Sequence, residues 1–288
     1  MQTQGEIQMK MPNSVCWNIT SRCNDNCLFC YRDRMSQELD FERQKKIIQK
    51  IAESGIRKVT FAGGEPLLVK KIKELILYAK QCGLIVSMTT NGILLDPERL
   101  EFFTENLDWI TFSLDSAEEE IQSKMGRNSL HVERTHNLLE KIAEKGNKNC
   151  QIKINTVISC MNQKHITGIA DLVMRYSVNR WKLFQFVPLR GSAQKYKERF
   201  YISDDCFLQV VNDVRQYMGE QAHRLTVSGR LNIESAYFVI FPNGDIKISI
   251  GLQDQIIGNA IKDDLRMIWH QGAYCRELHE ERTKFMIS

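Results

Sequence analysis

The chain has 288 residues, 26% of them charged and 43% hydrophobic, enough for one large domain or two small ones around a substantial core. Its net charge of +4 is mild and dispersed, which suits an anionic small substrate and argues against a nucleic-acid-binding protein. No apolar run approaches about 18 residues, and the opening MQTQGEIQMKMPNS is polar, so neither a membrane span nor an export signal is expected.

In chain order, VCWNIT (15–20) is short, apolar and β-prone. DFERQKKIIQKIAESG (40–55) places Phe41, Ile47, Ile48 and Ile51 at helical spacing and stops at Gly55. KVTFAGG (58–64) reads as a strand, LLVKKIKELILYAKQCG (67–83) as an amphipathic helix and LIVSMTTNG (84–92) as a strand. DPERLEFFTE (96–105) opens with an aspartate cap and a proline in the first turn, a helix start. DWITFSLD (108–115), QIKINTVIS (151–159) and RWKLFQFVPL (180–189) read as strands, separated by helices over 129–146 and 165–177.

Six strands alternating with helices over about 170 residues predict right-handed βα units on a parallel sheet. The alternation stops after the sixth strand. The expected fold is therefore α/β: a partial (β/α)6 TIM-like barrel over 15–190, after a tail (1–14) and before a small C-terminal α/β extension (191–288) that closes the barrel. The extension begins with a helix (203–219) and continues into AYFVIFPNGDIKISI (236–250), a hairpin around Asn243 and Gly244. Active sites of βα folds lie at the carboxyl ends of the strands. The conspicuous motifs fall there, with CNDNC, GGEP, TNG and LDS following the first four strands in turn.

Cys23, Cys27 and Cys30 put three soft thiolates on one short loop, and thiolates select zinc or iron–sulfur. Zinc would want a fourth ligand, yet there is no second CxxC pair and the six histidines form no spaced pair. A four-iron cluster on three cysteines leaves one iron open to a further ligand; an incidental cysteine cluster or a zinc loop is the alternative. The other six cysteines are scattered singly and are expected to be thiols in a reducing cytoplasm.

The CxxxCxxC loop after a first strand, with Phe29 before its last cysteine, resembles the radical S-adenosylmethionine (SAM) superfamily. The resemblance implies that Cys23, Cys27 and Cys30 hold a [4Fe–4S] cluster and that the amine and carboxylate of SAM chelate the open iron. One electron then cleaves the sulfonium and gives a 5′-deoxyadenosyl radical. FAGGEP (61–66) is similar to the superfamily's GGEP, where Gly63 and Gly64 let the backbone approach SAM and Glu65 accepts from the methionine ammonium. Taken alone, GGEP is also an ordinary turn. Thr90, Asn91 and Ser113 match positions that bind the SAM ribose and carboxylate, although Asn-Gly is commonly only a turn.

Lys153 and Asn155 alternate with Ile154 and Thr156 and share one strand face, read as the inward one. A lysine inside a barrel is costly unless an anion meets it. Arg180 and Lys182 repeat the pattern on the next strand, Lys58 starts KVTF, and Arg127 lies in KMGRNS. Such cations suggest a triphosphate or polyphosphate cradle, unless the side chains run to the barrel rim and reach water.

CNDNCLFCY, KVTFAGGEP, DWITFSLDS, GRNSLHVE, KINTVISCMN, NRWKLFQFVPLRG and FYISDDCF resemble, in order and spacing, the viperin-like nucleotide dehydratases. The resemblance implies that Lys58, Arg127, Lys153, Arg180 and Lys182 face the triphosphate of a ribonucleotide and that Asn155 lies near its base or ribose. It also implies a lyase reaction in which hydrogen leaves C4′ and the 3′ hydroxyl departs as water. The product would be a 3′-deoxy-3′,4′-didehydro nucleotide made from CTP, UTP or GTP, with an antiviral or antiphage role. Tyr237 aligns with a tyrosine suited to donating the proton, and is equally readable as a packed strand tyrosine. The implied partners are the triphosphate and a flavodoxin- or ferredoxin-type electron donor, with neither nucleic acid nor membrane. Ala62 departs from the serine common before GGEP, which removes one phosphate donor, and the tail after Pro242 is closer to other radical SAM proteins. A radical SAM enzyme acting on a peptide or another small molecule, or a non-catalytic iron–sulfur protein that binds a nucleotide, are the competing readings.

Overall fold

The structure is a computed structural model that describes residues 11–34, 37–146, 149–230, 236–271 and 274–283. Ten strands form one sheet: β1 (Ser14–Thr20), β2 (Lys58–Gly63), β3 (Ile85–Thr90), β4 (Trp109–Ser113), β5 (Gln151–Ile158), β6 (Arg180–Gln185), β7 (Leu225–Ser228), β8 (Val239–Ile240), β9 (Asp245–Ile250) and β10 (Gln253–Asn259). They lie in the order β10-β9-β8-β1-β2-β3-β4-β5-β6-β7. β1 to β7 pair in parallel, β8 returns to lie parallel beside β1, and β9 and β10 add antiparallel strands outside it. Among the described residues the sheet ends at β7 on one side and β10 on the other, consistent with a partial, unclosed barrel.

The six parallel strands expected are all present, and the chain adds a seventh. After the helix Asp204–Met218, whose N-cap Ser203 accepts from Cys206 N–H, the chain makes a further parallel strand, β7. Leu225–Ser228 is four residues long and only its last residue is buried, so it carries no apolar run for sequence periodicity to detect. β10 escaped notice for the same reason, since QDQIIGN is mostly polar and lies at the sheet edge.

The helices follow local chemistry. Asp40 accepts from Arg43 N–H (2.9 Å) to start Phe41–Glu53, and Asp96 accepts from Arg99 N–H (2.8 Å) to start Pro97–Asn106. Ile47, Ile48 and Ile51 are completely buried against the sheet, each stabilising the fold by about 1.5–3 kcal/mol. The helix expected over 67–83 starts later, at Ile72, because the Glu65 carboxylate first caps a short turn at Pro66–Leu68. None of the helices in the described residues is long and apolar enough to cross a membrane.

Strand alternation decides what faces inward. On β5, Ile152, Ile154, Thr156 and Ile158 are buried beneath helices, while Lys153, Asn155 and Val157 line a cavity on the other face. Val15, Trp17 and Ile19 likewise join the core of β1, and Cys16 and Asn18 reach the cavity. Residues from β1 to β7 and from the β8–β9 extension line that one cavity, so the sheet wraps around it.

Candidate active site

The cavity measures about 750 Å³, toward the upper end of the roughly 300–1,000 Å³ of ligand sites. Its wall runs from the cysteine loop, beyond the carboxyl end of β1, to the first residues of β2, β4, β6 and β7.

Cys23, Cys27 and Cys30 all line the upper end. Their loop has no helix or strand of its own, so neighbouring segments hold it. Leu28 N–H donates to Met125 O (3.0 Å) and Ala193 N–H to Cys30 O (3.0 Å), from the connections after β4 and β6. The Phe29 ring packs 5.8 Å from that of Phe200. Arg127 lies 5.3 Å over the same phenylalanine, donates to Asp115 Oδ2 at 2.6 and 2.9 Å, and stands 3.6 Å from Asp25 Oδ2. The Arg127, Asp25 and Asp115 side chains are only 8%, 3% and 1% exposed. Burial alone would lower the Arg127 pKa, but Cys27, Asp115 and Asp25 together raise it, so the guanidinium stays charged. The sequence reading gave Arg127 to a triphosphate; its geometry here is that of a brace between β4 and the cysteine loop.

Burial raises the Cys27 and Cys30 thiols above their ordinary range, with Arg127 drawing both down. A bound iron reverses this balance, because a coordinating thiol is deprotonated outright. The sulfurs also meet N–H donors: Arg32 N–H lies 3.4 Å from Cys30 Sγ and Asn91 Nδ2 3.9 Å from Cys23 Sγ. Three thiols with such donors on one cavity wall fit an iron–sulfur cluster, whose sulfur ligands accept hydrogen bonds of this kind. Among the described residues, no group of three or more His, Cys, Asp or Glu side chains is placed to hold a single metal ion. A four-iron cluster asks for something different, one thiolate on each of three irons.

GGEP folds against this loop. A Cβ on Gly64 would stand 1.9 Å from Arg22 O, and one on Gly63, whose φ is +120°, 2.4 Å from Thr20 O. Gly64 N–H donates to Thr20 O (2.7 Å) and Glu65 N–H to Arg22 O (2.8 Å). The glycines thus let the end of β2 press on the start of the cysteine loop, and they line the cavity as well. Glu65 is fully buried and its carboxylate turns to protein donors: Thr90 Oγ1 (2.8 Å), Asn91 N–H (2.8 Å) and Leu67 N–H (3.1 Å). Burial pushes its carboxyl up to about 7, against the Asn91, Leu67 and Thr90 hydrogen bonds that favour the anion. These bonds fix the end of β3 to the end of β2. There Thr90 and Asn91 line the cavity, and Asn91 Nδ2 also donates to Asn24 Oδ1 (2.8 Å) in the cysteine loop. Ser113, at the end of β4, lines the same wall.

The lower end carries Lys58, Lys153, Arg180 and Lys182, while Arg32, Arg127, Arg190 and Lys247 line the wall nearer the cysteine loop. Lys58 is the first residue of β2, and Lys153 lies beside Arg180, the first residue of β6. Lys58 is 2% exposed, its ammonium 5.0 Å over the Trp109 ring. Burial, and then Lys153, lower its pKa to about 7. Arg180 donates to His223 O (2.8 Å). Lys182, 4% exposed, reaches 4.7 Å over the Phe184 ring and 3.4 Å from the Tyr237 hydroxyl. Asn155, next to Lys182 in register, has a buried Oδ1 that accepts no hydrogen bond from the described residues. Lys58, Lys153, Asn155, Arg180, Lys182 and Tyr237 all line this cavity.

Sequence reading missed several wall residues. Thr60, Ser87, Thr89 and Thr111 project hydroxyls inward between the two ends. Their signal was available as single hydroxyl residues recurring at alternate positions in otherwise apolar strands. Cys16 is also on the wall, its thiol raised to about 11 by burial against the pull of Lys153 and Lys182. Asp25 and Asp115, which grip Arg127, left no periodic signal at all.

Residues 17–173 match the radical SAM superfamily. A protein from Flammeovirga pacifica described as an S-adenosylmethionine-dependent nucleotide dehydratase is 35% identical over 211 residues, 69% of this chain and 71% of its own. One from Lacinutrix mariniflava with the same description is 31% identical over 251 residues, 82% of this chain but only 50% of its own, so this chain spans about half its length. The crystal structure of Streptococcus suis SuiB bound to precursor peptide SuiA superposes with a TM-score of 0.70 at 17% identity, covering 93% of this chain and 66% of that one, a likeness of fold. Radical SAM proteins use a [4Fe–4S] cluster and SAM, and the loop and wall described above suit both. The chain belongs to the radical SAM superfamily and groups within it with the S-adenosylmethionine-dependent nucleotide dehydratases.

Proposed function

We propose that this protein is a lyase that dehydrates a ribonucleoside triphosphate (CTP, UTP or GTP) to its 3′-deoxy-3′,4′-didehydro analogue. The observation that carries this reading is the joining of two unlike ends in one cavity: a cysteine loop above, and Lys58, Lys153, Arg180 and Lys182 below. Cations held inside a barrel call for a multiply charged anion, and a triphosphate lodged there would present its ribose to the upper end.

Cys23, Cys27 and Cys30 would hold the cluster, and with SAM beside it the upper end would supply a 5′-deoxyadenosyl radical able to take the C4′ hydrogen atom. Phe29, Gly63, Gly64, Thr90, Asn91 and Ser113 shape the wall against SAM. Lys58, Lys153, Arg180 and Lys182 fix the triphosphate, so the ribose cannot rotate away from the upper end. Asn155 Oδ1 offers an acceptor to a ribose hydroxyl or a base amino group. Departure of the 3′ hydroxyl as water consumes one proton; we assign its donation to the Tyr237 hydroxyl, a reading supported by the Lys182 ammonium 3.4 Å away, which would stabilise the phenolate left behind. The sugar then needs one electron to reach the closed-shell product, beside the electron that cleaves SAM. Both come from a flavodoxin- or ferredoxin-type donor. Products of this kind lack a 3′ hydroxyl and terminate RNA chains, which is the basis of a proposed antiviral or antiphage role in the cytoplasm.

The test is anaerobic incubation of the reduced, reconstituted protein with SAM and each ribonucleoside triphosphate, followed by mass spectrometry. A product lighter than its substrate by one water, formed together with 5′-deoxyadenosine, is expected. If no nucleotide raises 5′-deoxyadenosine release, the nucleotide assignment is wrong.

A further inference from the structure

The inward residues of the central strands fall into rows. Thr89 pairs with Thr111, Thr111 with Lys153 and Lys153 with Arg180, so one row crosses β3, β4, β5 and β6, and all four residues line the cavity. Two residues further along the strands, Ser113, Asn155, Lys182 and Thr226 make a second row on the same wall. The first row changes character halfway: β5 and β6 give it cations, whereas β3 and β4 give it threonines.

Those threonine hydroxyls are not spent on the fold. Thr111 is 2% exposed, and neither its hydroxyl nor that of Thr89 has a hydrogen-bond partner among the described residues. Other buried threonines are committed: Thr90 Oγ1 donates to Glu65 Oε1 (2.8 Å), Thr135 Oγ1 to His131 O (2.9 Å) and Thr156 Oγ1 to Leu114 O (2.6 Å). A β-branched residue suits a strand, but valine would meet that need without burying a polar group. A hydroxyl turned into a cavity beside a lysine is ready to donate to an anion that the lysine attracts. A further cation here would meet like charge, since Lys153 already draws down the pKa of Lys58; a neutral donor adds a bond without that repulsion.

We propose that Thr89 and Thr111 bind the polyphosphate of the substrate, forming the uncharged half of a cradle whose charged half in the same row is Lys153 and Arg180. The assignment rests on the nucleotide reading of the cavity and goes beyond it by giving these two hydroxyls to phosphate oxygens, not to SAM or to the ribose. An ammonium attracts phosphate from any direction, whereas a hydroxyl on a stiff β-branched side chain donates from a fixed place. Held side by side by the β3–β4 pairing, the two hydroxyls set how the chain of phosphates lies, and so where the ribose points. They are positioning residues; neither makes or breaks a bond.

The experiment uses the reconstituted holoprotein with inorganic tripolyphosphate as the probe, its Kd read by titration calorimetry. T89V/T111V keeps side-chain shape and strand preference but removes both hydroxyls, and T89S/T111S keeps the hydroxyls and loses the methyl groups. The Kd should rise about tenfold in T89V/T111V and stay within about twofold of the parent in T89S/T111S. The KM for the nucleotide should follow the same pattern, with iron content and the KM for SAM unchanged in both. If T89V/T111V fails to load iron, T111V alone is titrated, with an expected rise of about threefold. Valine variants that bind tripolyphosphate as the parent does, serine variants weakened as much as valine ones, a rise confined to the KM for SAM, or a parent that binds no tripolyphosphate would each overturn the proposal. A parent that binds tripolyphosphate but dehydrates no nucleotide would instead sink the proposed function and leave these phosphate contacts standing.

Discussion

The two ends of the cavity are built by opposite rules. At the upper end, polar groups are committed to one another: Arg127 to Asp115 and Asp25, Glu65 to Thr90 and Asn91, Asn91 to Asn24. Those bonds position a loop that has no secondary structure of its own. At the lower end, charged groups are set by strand register, and their ammonium groups rest on aromatic rings, Lys58 on Trp109 and Lys182 on Phe184. A network of buried mutual contacts fixes geometry, whereas cations gathered on one wall store affinity for an anion. Damage above should therefore appear as lost cluster and lost stability, and damage below as weakened substrate binding in an intact protein.

The hardest test is Arg127→Met, which leaves two buried carboxylates without their cation. Unfolding free energy should drop by about 3–5 kcal/mol, with iron content after reconstitution falling too. Urea titration and iron analysis check both; an intact cluster at unchanged stability would mean that the upper end is not held by this brace. Gly64→Ala should follow, at about 1–3 kcal/mol and with lower iron occupancy, because backbone carbonyls cannot yield to the new Cβ. Gly83→Ala sharpens the reading, since Gly83 has a φ of +78° but nothing within 4 Å of a Cβ, so only backbone strain and no clash is introduced. It should cost about 1 kcal/mol and leave iron untouched.

Below, Lys153→Met should raise the KM for the triphosphate about tenfold, about 1.4 kcal/mol, with iron content and the KM for SAM unchanged. Equal effects on SAM and nucleotide would dissolve the distinction between the ends. A last test concerns pH. Lys58 has a folded pKa of about 7 against an ordinary value of 10.5. Above about pH 7 the free enzyme loses this charge, so triphosphate affinity should weaken, by at most tenfold per pH unit. Stability runs the other way. Between about pH 7 and pH 10.5 the unfolded chain binds the extra proton, so stability should rise with pH across that window and be flat below it. Lys58→Met should flatten both profiles; a KM slope that survives it would place the titrating group elsewhere.

The fold was legible as far as its periodicity was strong. Strands with alternating buried isoleucines and helices opened by Asp40 and Asp96 lie within a few residues of the spans expected for them. β7 and β10 were not legible, because a short half-exposed strand and a polar edge strand hold their places through pairing partners and not through their own composition.

For the site, the sequence by itself determined the cysteine spacing, the paired glycines and the strand parity that sends Lys153, Asn155 and Lys182 to the same interior as one another, because spacing and alternation are local properties. Only the tertiary structure decided that Arg127 answers to Asp25 and Asp115, that Glu65 accepts from Thr90 and Asn91, and that Tyr237 from the C-terminal extension meets Lys182. Each of those is a meeting of side chains far apart along the chain, and the partner of a buried charge is set by which carboxylate or ring the packing brings within reach.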